Sequence, residues 1–516
     1  MSTSSISSLL NTLNPSNESL AELLGESTTS NSTANNSSTD AAVLDAVDAI
    51  LNSATNTSGS GIDVTSTVDA ILQLDAAPEE NLQNQVTALN AQTSALQTIE
   101  TDLTNFQTAV QALDDPMGAF GDVTVNSSNN DVVSATAANG STAGSHTIVV
   151  TSLATTSAAY SSPQKSAASA LPTGTLTIQV GSNKADAVTI PVDSTDKTDT
   201  LSGLASYINK QNMGVTASVI TDNSGAILSL VSQTSGSAGY LNITDDTGGG
   251  AGGGLGIQMA QDSQGHDLGT DSSLTVDGVP VSSGSNTLTG VIPGVTLNLS
   301  GTSSNPVTLD IQPDLTQVST GINNFVSAWN QLMSDINAQN TYSGTGTAPP
   351  LMGDPSLDLL QSQLLNAITT SLSGNGAVVN LQSIGIQLQE NGTLSVASSS
   401  SPDSMDLNDA LANNFSAVQS LFQSTSPSGV AQTLNSVLAN LTNPATGPLN
   451  LDANSNSSQV TDLNSQISEF QYQLQQTQQQ LTTEYSTINT TLEQLPETLN
   501  SINQQLDALN PTTNTP

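Results

Sequence analysis

VTDLNSQISEFQYQL, residues 460–474, places Val460, Leu463, Ile467, Phe470 and Leu474 three, four, three and four residues apart. That spacing makes one apolar stripe along a helix, and sustained over heptads it is the seam of a coiled coil. The stripe resumes at Leu481, Tyr485, Ile488, Leu492, Leu495, Leu499, Ile502, Leu506 and Leu509. Between the two runs the seam is expected to pass through polar Gln478 with two steps of four. Such a stutter locally unwinds a left-handed supercoil. Pro496 lies inside the second run and is expected to kink or divide the helix.

A narrow stripe needs a partner. The only comparable one begins at Asn81, where Leu82, Val86, Leu89, Leu96, Ile99, Leu103, Phe106, Val110 and Leu113 again fall mostly three and four apart. Asp114-Asp115-Pro116 ends that helix, because proline cannot continue the hydrogen-bond ladder. The two stripes most simply pair with each other, which puts both termini at one end of an elongated molecule. A partner of 32 residues (82–113) is too short to cover the whole C-terminal stripe. Leu499, Ile502, Leu506 and Leu509 are therefore the candidate contacts with other subunits or with a filament.

From about 120 to 315 the pattern changes to β. Thr147 to Thr151 and Leu176 to Val180 are β-branched runs, and Val295, Leu297, Leu299, Val307, Leu309 and Ile311 alternate with polar residues as in half-buried strands. Asp277-Gly278 and Asn223-Ser224-Gly225 are hairpin turn signals. A helix is expected over Thr200 to Asn209, and a flexible loop over the glycine-rich stretch Thr247 to Gly256. Helices return at 314, with Ile322, Phe325, Val326, Trp329, Leu332, Met333 and Ile336 on one face. Another starts at Asp354-Pro355, with Asp as N-cap and Pro at the first position. Ile384 to Val396 reads as a hairpin around Asn391-Gly392, and Leu407 to Phe422 as a helix.

The fold class predicted is α+β, elongated and multidomain, with terminal helices paired as a coiled-coil leg around β-rich central domains. The partition is a largely disordered Ser/Thr/Asn-rich extension over 1–58, an N-terminal helical leg over 59–120, a β-rich domain over 121–265 and a second over 266–315. A helical domain with a β-hairpin follows over 316–455, then the C-terminal coiled-coil helix over 456–516. The pentapeptide Val-Asp-Ala-Ile-Leu occurs twice, at Val47–Leu51 and Val68–Leu72. A small duplication or chance explains it.

Charge excludes several functions. The 516 residues carry 44 Asp and Glu against four cations (Lys165, Lys184, Lys197 and Lys210), a formal net charge of −40. Nucleic-acid binding needs cations to displace counterions from phosphates, so it is not expected. Attraction to an anionic membrane is not expected either. There is no cysteine, which removes disulfides, thiolate metal sites and cysteine nucleophiles. No apolar run of 18 residues occurs, so membrane insertion is not expected. Residues 1–25 lack a basic region followed by an apolar one, so no cleavable secretory signal is read there.

Several stretches together resemble the flagellar filament cap family, the hook-associated protein 2 family. They are Gly59-Ser-Gly-Ile-Asp63-Val, Leu113-Asp-Asp-Pro116 with Phe120, and Gly144-Ser-His-Thr-Ile-Val-Val-Thr-Ser-Leu153-Ala154. Thr275-Val-Asp-Gly278-Val, Ser285-Asn286-Thr, Val291-Ile-Pro-Gly-Val-Thr-Leu297 and Phe325-Val-Ser-Ala-Trp-Asn330 continue the match. Leu351-Met-Gly-Asp354, Ile384-Gly-Ile386, Gly392-Thr-Leu394, Val418-Gln-Ser-Leu-Phe422 and the terminal stripe complete it. The resemblance spans roughly 60 to 516. It implies a ring of about five subunits at the distal filament end, outside the cell. Legs would contact flagellin, and β domains would form a plate. It also implies export through the flagellum's own type III channel without a cleavable signal, and an export chaperone as a partner. This chain departs from the family in its long extension, in Gln, Asn and Thr where basic residues are expected on the helices, and in Pro496.

Catalysis is not expected. His146 and His266 are the only histidines, and no G-x-S-x-G or G-x-x-x-x-G-K string occurs. Asp114-Asp115 and Asp245-Asp246 lack the spacing of a calcium loop, so no metal or cofactor is expected. The alternatives to a filament cap are a flagellar-tip adhesin, a hook–filament junction protein and, more remotely, an enzyme.

Overall fold

The computed structural model describes residues 63–249, 254–342, 344–397 and 405–509. The expectation for residues 1–58 lies outside the described residues. The helices are α1 (Val64–Asp75), α2 (Ala77–Asp114), α3 (Leu201–Gln211), α4 (Leu315–Asn340), α5 (Pro355–Ile368), α6 (Leu407–Gln423), α7 (Val430–Leu441) and α8 (Pro448–Leu509). Among the described residues, those up to Gln97 and from Asn450 onward form one compact unit, and Thr98–Leu449 form another.

In the first unit, Asp63 caps α1 by accepting from the Ser66 amide at 3.2 Å. α1 and α2 are separated by Ala76 alone, and Pro78 in the first turn of α2 cannot donate to the ladder across that joint. α2 runs antiparallel to α8. Gln471 Nε2 donates to Glu79 Oε1 at 2.6 Å, while Gln85, Ala88 and Leu89 share a groove with Gln459, Asp462, Leu463 and Gln466. The pairing of the two stripes is thus present.

The seam of α8 differs in detail from the sequence reading. From Val460 onward its half-buried positions are Val460, Leu463, Ile467, Phe470, Leu474, Thr477, Leu481, Tyr485, Asn489 and Leu492. Thr477, not Gln478, carries the seam past the polar stretch, and Gln478 is exposed. Three consecutive steps of four then follow, at Thr477–Leu481–Tyr485–Asn489. Polar Asn489 takes the place expected of Ile488, which is left exposed. Steps of four without an intervening step of three move the seam around the helix, a stutter that locally unwinds the supercoil. Helix α8 is not divided at Pro496; one helix continues through it to Leu509.

The second unit holds two β-rich cores and a helical body. The strands of the first core are β1 (Val123–Ser127), β2 (Val133–Ala137), β3 (Gly144–Ser152), β11 (Ser272–Val276), β12 (Val279–Ser283), β13 (Thr287–Ile292), β14 (Val295–Leu299) and β15 (Val307–Pro313). They form a five-stranded sheet in the order β1-β15-β3-β11-β12 and a three-stranded sheet in the order β13-β14-β2. Ile148, Val150, Leu274, Leu297, Leu309 and Ile311 are buried in this core. The second core is inserted between β3 and β11. It has the strands β4 (Thr156–Tyr160), β5 (Gly174–Val180), β6 (Val188–Val192), β7 (Val215–Asp222), β8 (Gly225–Ser235), β9 (Leu241–Asp245) and β10 (Gln258–Met259). These make sheets ordered β10-β4-β8-β7 and β6-β5-β9, and α3 buries Leu201, Leu204 and Ile208 in the same core. Two β bodies are present, but one nests within the other. β3 pairs with both β15 and β11, so the outer sheet draws strands from both sides of residue 265. Alternation tells a strand which face is buried and says nothing about which strand lies beside it.

The turns follow their residues. Asp277 and Gly278 have φ of 49° and 80°, as a two-residue hairpin loop between β11 and β12 requires. In the β7–β8 hairpin the loop is Asn223-Ser224, held by Asp222 accepting the Ser224 amide, and Gly225 already opens β8. Asp245 fastens the described ends of the glycine-rich stretch. Its carboxylate accepts from the amides of Thr247, Leu255 and Gly256.

The chain crosses between the two cores at Leu153–Thr155 and returns at Gly269–Asp271. Asn286 stitches the outgoing segment: its Oδ1 accepts the Ala154 amide at 2.7 Å and its Nδ2 donates to the Ala154 carbonyl at 2.8 Å. Thr155 Oγ1 accepts from the amides of Gly269 and Thr270 on the returning segment. Ala154 is buried. Asn286→Ala leaves both its backbone groups without these partners. It is expected to lower stability by about 1–3 kcal/mol, read as faster hydrogen exchange at residues 153–156.

Candidate functional site

Two features stand out from the scaffold: a clamp that fixes the helical body, and an apolar helix end that nothing described covers.

The clamp joins two of the sequence motifs. Strands β16 (Ile386–Leu388) and β17 (Leu394–Val396) form the hairpin expected around Asn391-Gly392. Helix α4 starts at Asp314, which accepts from the Thr316 and Gln317 amides, and presents a row of polar groups to that hairpin. Trp329 Nε1 donates to the Gly392 carbonyl at 2.8 Å. Asn330 accepts the Leu394 amide at 2.6 Å and donates to its carbonyl at 2.8 Å, in the manner of Asn286 on Ala154. Asn337 donates to the Asn391 carbonyl at 2.8 Å. Behind the clamp lie five of the six phenylalanines and the single tryptophan. The Phe106 ring is 5.3 Å from Trp329 and 5.4 Å from Phe325, Phe325 is 6.1 Å from Phe422, and Phe422 is 5.7 Å from Phe120. Phe415 stands 6.0 Å from Phe120. The motifs centred on Trp329 and Gly392 are thus packing and positioning motifs.

The apolar end is on α8. Leu499, Ile502 and Leu506 are 54%, 47% and 56% exposed. They stand three and four apart, so all three share one face. Leu509 lies in the last turn of the same helix. Leu495, 46% exposed, extends the face by one turn, although its spacing in the stripe predicts a place in the paired seam. Among the described residues, α1 and α2 together are shorter than α8 and leave this end without a partner helix. Four large apolar side chains on one helix face are a surface that gains from association, at about 1.5–3 kcal/mol for each side chain fully covered.

The histidines are placed apart. His146 Nδ1 lies 2.8 Å from Asp277 Oδ2 at the β3–β11 pairing, and Asp277 also accepts the Thr147 amide. These hydrogen bonds, that of His146 foremost, hold the Asp277 carboxyl below its ordinary value. His266 Nδ1 lies 3.3 Å from Asp262 on an exposed loop. Asp114 accepts from Asn435, and Asp115 from the Met117 amide, so that pair serves as a helix stop and tether. Among the described residues no helix is long and apolar enough to cross a membrane.

Two features escaped the sequence reading. Helix α7 carries Val430, Leu434, Leu438 and Leu441 buried at helical spacing, a signal that was present. Asp102 sits in the apolar stripe of α2 between Ile99 and Phe106 and is only 9% exposed. Its neighbour is Asp335 on α4, and one of its oxygens has no hydrogen-bond partner.

Models of the flagellar hook-associated protein 2 N-terminus and C-terminus match residues 60–157 and 269–497, and a flagellin hook IN motif matches residues 175–234. The B-type flagellar hook-associated protein 2 of Pseudomonas aeruginosa is 33% identical over 380 residues, covering 68% of this chain and 77% of the relative. The flagellar hook-associated protein 2 of Escherichia coli K12 is 27% identical over 320 residues, covering 59% and 67%. The crystal structure of the D1-D2-D3 domains of the Escherichia coli flagellar cap protein FliD aligns with a TM-score of 0.51 at 27% identity, covering 70% of this chain and 99% of that one. Terminal helices around a β-rich middle, with these matches at both ends and in the insert, define a structural protein of the bacterial flagellum. The chain belongs to the flagellar hook-associated protein 2 family. None of these matches supports the adhesin reading.

Proposed function

We propose that this chain is a subunit of the oligomeric cap at the distal end of the flagellar filament, where it retains exported flagellin and promotes its polymerisation. The observation that carries this is the match at both ends of the chain, 60–157 and 269–497, to one flagellar family, together with the alignment to a cap protein structure. In this reading the leg is drawn from 59–120 and 456–516, the two β bodies lie within 121–315, and 316–455 is the helical body. Leu499, Ile502, Leu506 and Leu509 are the contacts to neighbouring subunits or to flagellin. About five subunits close the ring. The subunit reaches the tip through the flagellum's own export channel, accompanied on the way by a chaperone. Its work is mechanical, and no residue is assigned a catalytic role.

Immunogold labelling of intact flagellated cells with antibody to this chain tests the proposal. Gold is expected at the distal filament tips. Gold at the hook–filament junction, or over the cell body with bare tips, overturns it. A chain carrying Leu499→Asp and Ile502→Asp is expected to be exported but lost to the medium, with tip labelling down at least tenfold. Undiminished tip labelling of that variant removes these residues from the contact.

A further inference from the structure

The pair of α2 and α8 is latched on one side and open on the other. Gln471 Nε2 donates to Glu79 Oε1 at 2.6 Å on one side of the α8 seam. On the other side the helices leave a groove, lined by Ala88 and Leu89 of α2 and by Gln459, Asp462, Leu463 and Gln466 of α8. At 3.6 residues per turn, Gln459, Asp462 and Gln466 all fall on the side of the seam away from Gln471.

The floor of this groove is apolar and incompletely covered. Further along α2 the same stripe is fully buried, with Leu96, Ile99, Leu103 and Phe106 at most 1% exposed. Over Leu82, Val86 and Leu89 it is only half-buried, and so are Val460, Leu463, Ile467 and Phe470 on α8. One partner helix covers one side of an apolar stripe, and a third helix laid in the groove covers the rest, as in a bundle. Ala88 is exposed on the rim and small, so a helix can approach closely there.

The wall of the groove states which helix fits. Asp462 and Glu469 are both exposed and seven residues apart, so they stand on one face, about 10.5 Å apart along α8. Residues 63–97 and 450–509 hold no Lys, Arg or His. The four lysines all lie between 165 and 210, and of α1 to α8 only α3 carries one. A second copy of this helix pair therefore brings carboxylate to carboxylate, which disfavours it as the occupant. The complementary charge has to come from a different protein.

We propose that the groove receives an amphipathic helix of another protein. Its apolar edge covers Leu89 and Leu463, and its Lys or Arg side chains, seven residues apart, meet Asp462 and Glu469. This surface is separate from the Leu495–Leu509 end, and the docking does not depend on the cap reading. The ion pairs lie at the rim, so binding weakens as salt rises.

The probe is a fluorescent three-heptad peptide with Leu at the a and d positions and Lys flanking them, beside the same peptide with Glu in place of Lys. Each is titrated with the full-length chain and followed by anisotropy. The Lys peptide is expected to bind at least tenfold tighter than the Glu peptide. Asp462→Asn with Glu469→Gln is expected to weaken it at least threefold. Ala88→Phe, which narrows the groove without changing charge, is expected to weaken it at least tenfold. All three positions are exposed, so these variants keep the fold. Undiminished binding to Ala88→Phe means attraction to the net charge of −40 alone and overturns the proposal. Glu493→Gln with Glu497→Gln removes the same charge near the exposed end of α8 and is expected to change nothing; a loss that follows this pair instead places the peptide on that end and overturns the groove. Self-association of the chain in sedimentation, abolished by Ala88→Phe, also overturns it, since the occupant is then a second copy. The gold labelling decides the cap reading separately, so either can fail alone.

Discussion

Trp329→Ala is expected to lower the stability of the helical body by about 3–5 kcal/mol, the range for removing a fully buried large aromatic. Trp329 is 0% exposed and stands against Phe106, while its indole N–H holds the Gly392 carbonyl. Truncation opens a cavity beside Phe106 and Phe325, forfeits the edge-to-face contact, and leaves a buried carbonyl unpaired. The helices α2, α4 and α6 meet in this one aromatic cluster, so no neighbouring apolar residue can fill the space without moving a helix. Trp329→Phe keeps most of the volume and loses the N–H donor, so about 1–3 kcal/mol is expected. The chain has several bodies, so a single melting temperature is the wrong readout. Amide exchange over 315–340 and 386–396 isolates the effect. It should accelerate strongly in the alanine variant, while the inserted β core around Leu228 and Leu230 stays protected. A loss below 1 kcal/mol means the cluster is not packed as described.

Local physics made much of this fold readable. Asp114-Asp115-Pro116 stops α2 where expected, Thr200 and Asp354-Pro355 start α3 and α5, and Asp277-Gly278 turns the β11–β12 hairpin. Each of these is decided within a few residues by a cap, a missing donor or a positive φ. Partners were less legible. β3 pairs with β15 across more than 150 residues of chain, and nothing in the alternation of either strand names the other. The same holds for Trp329: its burial could be read from the apolar face of α4, whereas its bond to Gly392 required the hairpin to be in place. Gln478 and Thr477 show a finer limit. Both are polar neighbours of one seam, and a single step of three or four chose between them. The exposure of Leu499, Ile502 and Leu506 was legible because a length mismatch between two helices is a counting argument; that of Leu495 was not, because the count does not locate the start of α1.

Asp102→Asn is expected to stabilise the helical body at pH 7.5 and to make no difference near pH 3.5. The Asp102 carboxyl is raised from 3.8 to about 6, first by burial in the stripe of α2 and then by hydrogen bonding to Asp335 and the charge of that carboxylate. A group whose folded value lies above its unfolded value takes up a proton on folding. Its contribution is fully present below the unfolded value of 3.8, declines as pH rises through the window between 3.8 and about 6, and is lost above it. At about 1.36 kcal/mol for each tenfold change in proton affinity, that loss is at most roughly 3 kcal/mol. Asparagine is uncharged at every pH and can donate to Asp335, so it removes the penalty. Denaturant midpoints of wild type and variant at pH 3.5, 5, 6 and 7.5 check this, followed by the fluorescence of Trp329, the single tryptophan, which is buried in the helical body. The gap should open across that window and then level off. A gap independent of pH means the carboxylate is solvated and uncoupled. The comparison also separates the pair from the rest of the chain. With 44 acidic residues against four lysines, acid relieves general repulsion in both proteins alike, and only the difference between them reports Asp102.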